Sequence, residues 1–217
     1  MSAFEEGFAF FAKQAGVQIA GFEGGIYVGQ VDNEIEKLIH DLNAFEGFKT
    51  KPDMLKGDIA EFWHSDTFNV NAVARGTASR AFVDRSHDFA SADISSNFGK
   101  IFGLKYYKDG VESAKQQAKS VFERFHEYRA SGGKDSLEMF LEKRGFTEDA
   151  VLHDPIYYGQ IRVIPKDQLE TACEWLRRKI ATESVIRPEQ VERYRETLAR
   201  LSDRLSDDLG TEFRPLV

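Results

Sequence analysis

Cysteine and proline are scarce in this sequence of 217 residues, which contains one cysteine and five prolines. A single cysteine, Cys173, excludes both a disulfide framework and a cysteine-based zinc site within the chain. No apolar run approaches the roughly 20 residues that a transmembrane helix requires. The first residues are acidic rather than basic and do not resemble a secretory signal. We therefore expect a cytoplasmic protein that does not contact a membrane.

What the sequence has instead is a composition typical of a globular fold. Hydrophobic residues make up 41% of the chain and charged residues 30%, and a chain of this length is long enough to bury a core. The 18 phenylalanines are many for this length, and we expect them to dominate that core. The length suits one domain with additions.

Positive charge is in deficit overall, but it is unevenly distributed. The formal net charge is −7, which argues against a protein that coats nucleic acid without regard to its sequence. The segment 75–119 nevertheless carries eight basic and five acidic side chains, so it is positive while the remainder of the chain is negative. If this protein contacts nucleic acid, we expect the contact in this segment.

The N-terminal part of the sequence predicts two helices separated by a loop. Apolar residues recur at helical spacing over residues 2–15 and again over residues 31–45. Residues 21–29 contain four glycines, which predicts a loop with a short extended piece. This stretch is not a phosphate-binding loop, because it lacks the GK[ST] ending. Asp32 or Asn33 is the expected N-cap of the second helix.

The middle of the sequence predicts a helix, three strands and a further helix. Pro52 is expected to open the first of these helices, which runs to about residue 74. Apolar alternation and turn residues then predict strands over residues 80–84, 90–95 and 101–107, the last two joined by a turn at residues 97–100. The next helix is predicted over residues 111–130.

The C-terminal third predicts a short helix, a strand and two longer helices that form an antiparallel hairpin. These elements cover residues 135–143, 160–164, 167–181 and 188–209, and Asp135 or Ser136 is the expected N-cap of the short helix. The fold class that follows is α/β (α+β), with a small mixed sheet in αβββαβ order. The expected organisation is an N-terminal helical extension (1–50), an α/β core (51–165) and a C-terminal helical hairpin (166–217).

Three residues of this core carry a pattern that favours chemistry. Glu61 lies on the first core helix, Asp93 on the second strand and Lys105 on the third. Aspartate is depleted in strands, so its presence there needs a reason. Two carboxylates can hold a divalent cation, and a lysine beside them can orient an attacking water or offset charge that develops on a phosphate. The ordinary interpretations are a solvated helix residue, a strand-end aspartate and a solvent-facing lysine.

This arrangement of two acids and a lysine on successive elements resembles the core of the PD-(D/E)xK nucleases, a superfamily that includes restriction endonucleases, resolvases and repair nucleases. The resemblance covers roughly residues 53–165. It implies a metal-dependent nuclease that cleaves phosphodiester bonds with Mg²⁺ (or Mn²⁺), in which Glu61, Asp93 and Lys105 are catalytic and the two acids bind the metal. The stretch 102–108 also resembles uncharacterised proteins of bacterial mobile elements and prophages, which implies a phage, plasmid or defence setting.

Two positions depart from the family pattern. Ala92 stands where the family has its proline, which has no chemical consequence. Gly103 stands where the family has a second acid, two residues before the lysine, and glycine has no side-chain ligand to offer. Glu112 is the expected substitute and hence a candidate third metal ligand. His64 and the backbone carbonyl near Leu104 are further candidates.

Phosphate contacts are expected from the hairpin and from the helix that follows it. The candidate nucleic-acid-binding residues are Lys100, Lys108, Lys115 and Gln116, and Gln117 is a further candidate for positioning water or phosphate. DNA and RNA substrates, and endonuclease and exonuclease action, all fit this pattern.

The main alternative is a non-catalytic descendant of the same fold that serves as a binding or assembly module of a phage or mobile element. Gly103 favours it, because fewer ligands weaken a metal site. The N-terminal helix and the C-terminal hairpin are then candidate contact surfaces for a protein partner or for a second copy in a homo-oligomer. A third interpretation, a helical interaction protein without nuclease ancestry, requires Glu61, Asp93 and Lys105 to lie far apart.

Overall fold

A computed structural model describes residues 21–44, 52–85, 90–146 and 152–210. The helices in these residues are α1 (Gly21–Ala44), α2 (Pro52–Ala74), α3 (Gly110–Gln117), α4 (Val121–Ala130), α5 (Leu137–Glu142), α6 (Leu169–Glu183) and α7 (Pro188–Arg200). The strands are β1 (Ala81–Val83), β2 (Ile94–Ser96), β3 (Ile101–Leu104), β4 (Ile161–Val163) and β5 (Leu201–Ser202). The helix predicted over residues 2–15 lies outside the described residues.

The five strands form one mixed sheet in the order β1-β2-β3-β4-β5. β1, β2 and β3 form an antiparallel meander, whereas β4 pairs parallel to β3 and β5 parallel to β4. A parallel pair needs a crossover, and α3, α4 and α5 lie in the segment that connects β3 to β4. The α+β fold class with a small mixed sheet is therefore confirmed.

Alternate residues of the strands face two apolar clusters. One cluster packs α2 on the sheet through Phe68, Ile94, Phe102 and Leu205, all of which are fully buried. The other cluster joins Ile164, directly after β4, to residues of α3, α6 and α7. Since side chains alternate along a strand, residues between the α2-facing positions point to the opposite face of the sheet.

The glycine-rich stretch 21–29, for which the sequence predicts a loop, is helical in α1. Helix α1 packs along α2: the hydroxyl of Tyr27 donates to the carbonyl of Ala74 at 2.5 Å, and Nζ of Lys37 lies 2.7 Å from Oδ1 of Asp66. These contacts favour a helix that the glycines alone disfavour. The loop prediction is therefore wrong, and the residues predicted to cap a helix near residue 31 lie inside α1.

Two other predicted helices are shorter than expected. The helix predicted over residues 111–130 is interrupted at Ser120, which begins α4 with a capping box to Glu123. The helix predicted over residues 188–209 ends at Arg200, after which the chain joins the sheet as β5. The C-terminal segment thus contributes a strand as well as the packed pair α6 and α7.

Several local predictions are confirmed. Helix α2 begins at Pro52 and ends just before Gly76, whose φ of 68° lies in the left-handed region. The β2–β3 hairpin turns through residues 97–100, as expected, and Gly99 has a φ of 78° there. Helix α5 is capped by the side chain of Ser136. Among the described helices, none combines the length and apolar character needed to cross a membrane.

We expect Ser120→Ala to destabilise the fold by about 1 kcal/mol, because it removes the side-chain cap from the backbone N–H of Glu123. Urea unfolding followed by circular dichroism measures the change. Ser184→Ala is the matched control, since Ser184 is exposed beyond the end of α6. Equal stability of the two variants would contradict the assignment of Ser120 as the residue that divides α3 from α4.

Candidate active site

Asp93 and Lys105 meet at the ends of two paired strands. β2 begins later and β3 ends earlier than predicted, so Asp93 directly precedes β2 and Lys105 directly follows β3. Oδ2 of Asp93 accepts a hydrogen bond from the backbone N–H of Leu104 at 2.5 Å and another from Nζ of Lys105 at 3.1 Å. The two side chains are 20% and 15% exposed, respectively. The pair is therefore half-buried and remains accessible to a small ligand.

The backbone explains why these two side chains meet. The N–H of Asp93 donates to the carbonyl of Phe102, and the N–H of Lys105 donates to the carbonyl of Val163, both at 2.9 Å. The β2–β3 ladder therefore continues one residue beyond β2, and the β3–β4 ladder continues one residue beyond β3. Ladder hydrogen bonds on both sides fix the backbone from which the carboxylate and the ammonium project.

Glu61, on α2, lies close enough to this pair to be affected by its charges. The pKa of Glu61 is raised from 4.5 to about 8, first by burial and then by the carboxylates of Asp93 and Asp58, against the opposing charges of Arg85 and Lys105. Asp93 and Lys105, two of the three residues that the sequence predicted, are thus in contact, and their charges act on the third, Glu61. Near neutral pH and without a cation, Glu61 is largely protonated.

Lys105 is held by an aromatic ring as well as by a carboxylate. Its Nζ lies 4.6 Å from the ring centroid of Tyr157, which precedes β4. Burial by itself lowers the pKa of Lys105, but the phenol of Tyr157 and the carboxylate of Asp93 outweigh burial, so the pKa lies above its ordinary value. Lys105 is therefore an ammonium at neutral pH, available as a fixed positive charge rather than as a base.

The surroundings of Gly103 are the part of the site that the sequence did not predict. A Cβ at this position would lie 2.5 Å from Oε1 of Gln160 and 4.0 Å from the Tyr157 ring. On the other side, Nε2 of Gln117 donates to the Gly103 carbonyl at 3.0 Å. Neither Tyr157 nor Gln160 belongs to a motif that a single sequence reveals.

Glu112 does not join the two other acids. Its Oε1 accepts from Nε2 of Gln116 at 2.8 Å, and its Oε2 lies 3.7 Å from Nζ of Lys115. Within the described part of the chain, no three His, Cys, Asp or Glu side chains are grouped so that they could hold a metal ion. The expected metal set of Glu61, Asp93 and Glu112 is thus not formed, because the Glu112 side chain interacts along its own helix.

His64 and the predicted Leu104 carbonyl also differ from expectation. His64 is buried, and its Nε2 lies 2.6 Å from the hydroxyl of Tyr106. Burial lowers the pKa of His64 to about 4, so the ring is neutral and packed in the core. At Leu104, it is the backbone N–H rather than the carbonyl that contacts the site, through Asp93.

The predicted nucleic-acid contacts are partly engaged within the protein. Nζ of Lys100 lies 2.8 Å from Oδ1 of Asp208 and donates to the carbonyl of Ser206. Gln116 bridges Glu112 and Lys119. Lys108 and Lys115 are exposed, so they remain the candidates that a phosphate backbone could reach.

A cavity of about 950 Å³ lies between α3, α4, α6 and α7, apart from the Asp93–Lys105 pair. Its wall includes Glu112 and Gln116, and its charged residues form ion pairs such as Lys119 with Glu127 at 2.6 Å. The cavity therefore offers a mixed apolar and charge-balanced surface, whereas the unbalanced charges lie around Glu61.

No protein-family model, curated protein or solved structure matches this chain significantly. What the chain can do is therefore inferred from its own residues. Two carboxylates that repel each other beside one ammonium can bind a divalent cation and hold a negatively charged substrate next to it.

As the pH rises from about 4.5 to 8, we expect the free energy of unfolding of the parent protein to decrease relative to that of Glu61→Gln. The folded state keeps the Glu61 proton up to about pH 8, whereas the unfolded chain loses it near pH 4.5. Between these two values, ionisation of Glu61 therefore stabilises the unfolded chain relative to the folded state. Discounted for partial exposure, the difference at pH 9 should be at least about 1 kcal/mol, or roughly 2–4 °C in Tm.

Differential scanning fluorimetry from pH 4 to 9, without divalent ions, measures this difference. Glu174→Gln is the control, because Glu174 is exposed on α6. If the Glu61→Gln and parent midpoints stay parallel over the whole range, Glu61 does not have a raised pKa.

Proposed function

We propose that this protein is a metal-dependent nuclease that cleaves phosphodiester bonds in nucleic acid. The observation that carries the proposal is the contact of the Asp93 carboxylate with the Lys105 ammonium at 3.1 Å, beside a glutamate whose pKa both residues affect. Two acids and a lysine in these positions are the functional groups that metal-assisted phosphodiester hydrolysis requires. The fold supports the proposal, since the three residues lie on α2, directly before β2 and directly after β3, in the order expected of a PD-(D/E)xK core.

The electrostatics of the site favour a bound cation. Glu61 and Asp93 repel each other, which contributes to the raised pKa of Glu61. A divalent cation such as Mg²⁺ or Mn²⁺ would replace the Glu61 proton and remove that repulsion. When bound, such an ion activates a water molecule and polarises the phosphate.

Each residue then has a distinct role. Glu61 and Asp93 would hold the cation with their carboxylate oxygens. Lys105, positively charged and fixed by Asp93 and Tyr157, orients the attacking water and stabilises the negative charge that develops on the phosphoryl oxygens. Because Lys105 is an ammonium, it cannot accept the proton of the attacking water, so that proton passes to solvent.

Substrate contacts are proposed at the exposed residues around these strand ends. Lys108 and Lys115 are exposed and can approach phosphates. Tyr107 and Tyr158 are 42% and 66% exposed, so their rings are available to stack on bases. A phage, plasmid or defence setting is consistent with such a nuclease.

A non-catalytic module of the same fold is the second candidate. It is favoured by the small number of acids: apart from Glu61 and Asp93, the described residues bring no further His, Cys, Asp or Glu into a group that could hold a metal. In that case Lys105 neutralises Asp93 as a structural ion pair, and the protein would bind nucleic acid or another protein without cleaving it.

Asp93→Ala and Lys105→Ala should each reduce cleavage by about 100-fold or more, since each removes a group that acts in the transition state. The assay incubates the purified protein with labelled single- and double-stranded DNA and RNA in Mg²⁺ or Mn²⁺ and follows product formation by gel electrophoresis. Lys143→Ala is the matched control, because Lys143 forms an Asp–Lys pair with Asp135 at 2.8 Å on the surface.

The control should cleave at the parent rate. A folded parent protein that cleaves no substrate, and whose Tm does not rise with Mn²⁺, would rule out the nuclease and favour the binding module.

Lys108→Ala should weaken nucleic-acid binding and reduce the slope of log Kd against log salt concentration by about 1, as expected for the loss of one phosphate contact. Fluorescence anisotropy of a labelled oligonucleotide in EDTA, which prevents cleavage, measures both quantities. An unchanged slope would remove Lys108 from the binding surface.

A further inference from the structure

A side chain from the segment before β4 fills the space where residue 103 would place an acid. Gln160 is 4% exposed, and its Oε1 lies 2.5 Å from the position that a Cβ of Gly103 would take. A Cβ at residue 103 would have to displace that oxygen, so glycine at this position allows Gln160 to stay against the strand. Position 103 therefore lacks an acid, but the space beside it contains an oxygen.

The amide of Gln160 is oriented, not free to turn. Its Nε2 donates to the carbonyl of Ala90 at 2.8 Å, which leaves Oε1 as the atom that faces Gly103. Ala90 itself has a φ of 61°, the left-handed region that non-glycine residues rarely adopt. The chain thus accepts an unfavourable backbone conformation at the residue that holds Gln160.

The oriented oxygen has no partner. Within the described residues, Oε1 of Gln160 is buried and accepts no hydrogen bond. Buried carbonyl oxygens are almost always paired, so an oriented and unpaired one is available to accept from a proton donor or to bind a cation.

The position of this oxygen relative to Asp93 follows from the ladder. The Asp93 N–H donates to the Phe102 carbonyl, and both Asp93 and Gly103 alternate with residues that face α2. Asp93 and Gly103 therefore share the opposite face of the sheet. Tyr157 borders both Gly103 and Nζ of Lys105, so Oε1 of Gln160 lies on the same side of the sheet as Asp93 and Lys105.

We propose that Oε1 of Gln160 is the third protein ligand of the cation site, in place of the carboxylate that the family pattern has at position 103. This assignment rests on the proposed nuclease function. A carboxamide oxygen is an ordinary ligand for Mg²⁺, Mn²⁺ and Ca²⁺. Gln117, through its hydrogen bond to the Gly103 carbonyl, is a positioning residue that keeps the glycine backbone in place for Gln160.

The first experiment measures Mn²⁺ binding by isothermal titration calorimetry and by the Mn²⁺-dependent rise in Tm, for the parent and for Gln160→Met. Methionine keeps the length of the side chain and removes the ligand oxygen. We expect the Mn²⁺ affinity of Gln160→Met to fall by about tenfold or more. Gln168→Met is the matched control: the Gln168 amide accepts from Ser113 and donates to the Tyr107 carbonyl, so it is also held in place, but it lies outside the site.

The control should lower Tm without changing Mn²⁺ affinity. A folded Gln160→Met that binds Mn²⁺ as the parent does would overturn the assignment of Gln160 and leave the nuclease proposal intact. A parent protein that binds no Mn²⁺ would overturn both. The two failures are therefore distinguishable.

A second experiment moves the proposed ligand oxygen from residue 160 to residue 103. Gly103→Asp alone should be destabilised, because its Cβ meets Gln160. Gly103→Asp combined with Gln160→Ala removes that clash and places a carboxylate where the amide oxygen was, so Mn²⁺ affinity should recover to the parent level or above it. A folded double variant that binds Mn²⁺ no better than Gln160→Ala would show that the two residues do not serve one ligand position.

Discussion

The contact between Asp93 and Lys105 is the interaction on which the rest of the site depends. The Asp93 carboxylate accepts from the backbone of Leu104 and from the Lys105 ammonium, so it joins the ends of two strands and sets the direction of the lysine. Without that ammonium, Asp93 and Glu61 would face each other with less positive charge to offset their repulsion. One pair of residues therefore sets both the geometry and the electrostatics of the site.

Several unfavourable features are concentrated around these strand ends. Glu61 is buried beside other acids, Ala90 has a positive φ, and Gln160 buries an oxygen that no described residue satisfies. Each of these features opposes folding in the absence of a ligand. Such a concentration is typical of binding and catalytic sites, because binding of the ligand offsets the free-energy cost of these features.

The sequence and the structure lead to different interpretations of Gly103, the glycine in β3. In the sequence, Gly103 is a missing ligand and favours a protein without catalytic activity. In the structure, the same position is the space that Oε1 of Gln160 occupies. A neutral amide in place of a carboxylate leaves the site with fewer negative charges, so a cation would be held less tightly than by three acids.

The sequence by itself determined the elements whose signals act over a few residues. The start of α2 at Pro52 and the cap at Ser136 follow from local backbone chemistry. The contact of Asp93 with Lys105 was also predictable, because strands that are consecutive in sequence usually pair. Only the tertiary structure decided that residues 21–29 are helical, that Leu201–Ser202 extends the sheet and that one glutamine faces a glycine on the neighbouring strand. These outcomes depend on contacts between segments far apart in the chain, where packing overrides local propensity and leaves no signal in a single sequence.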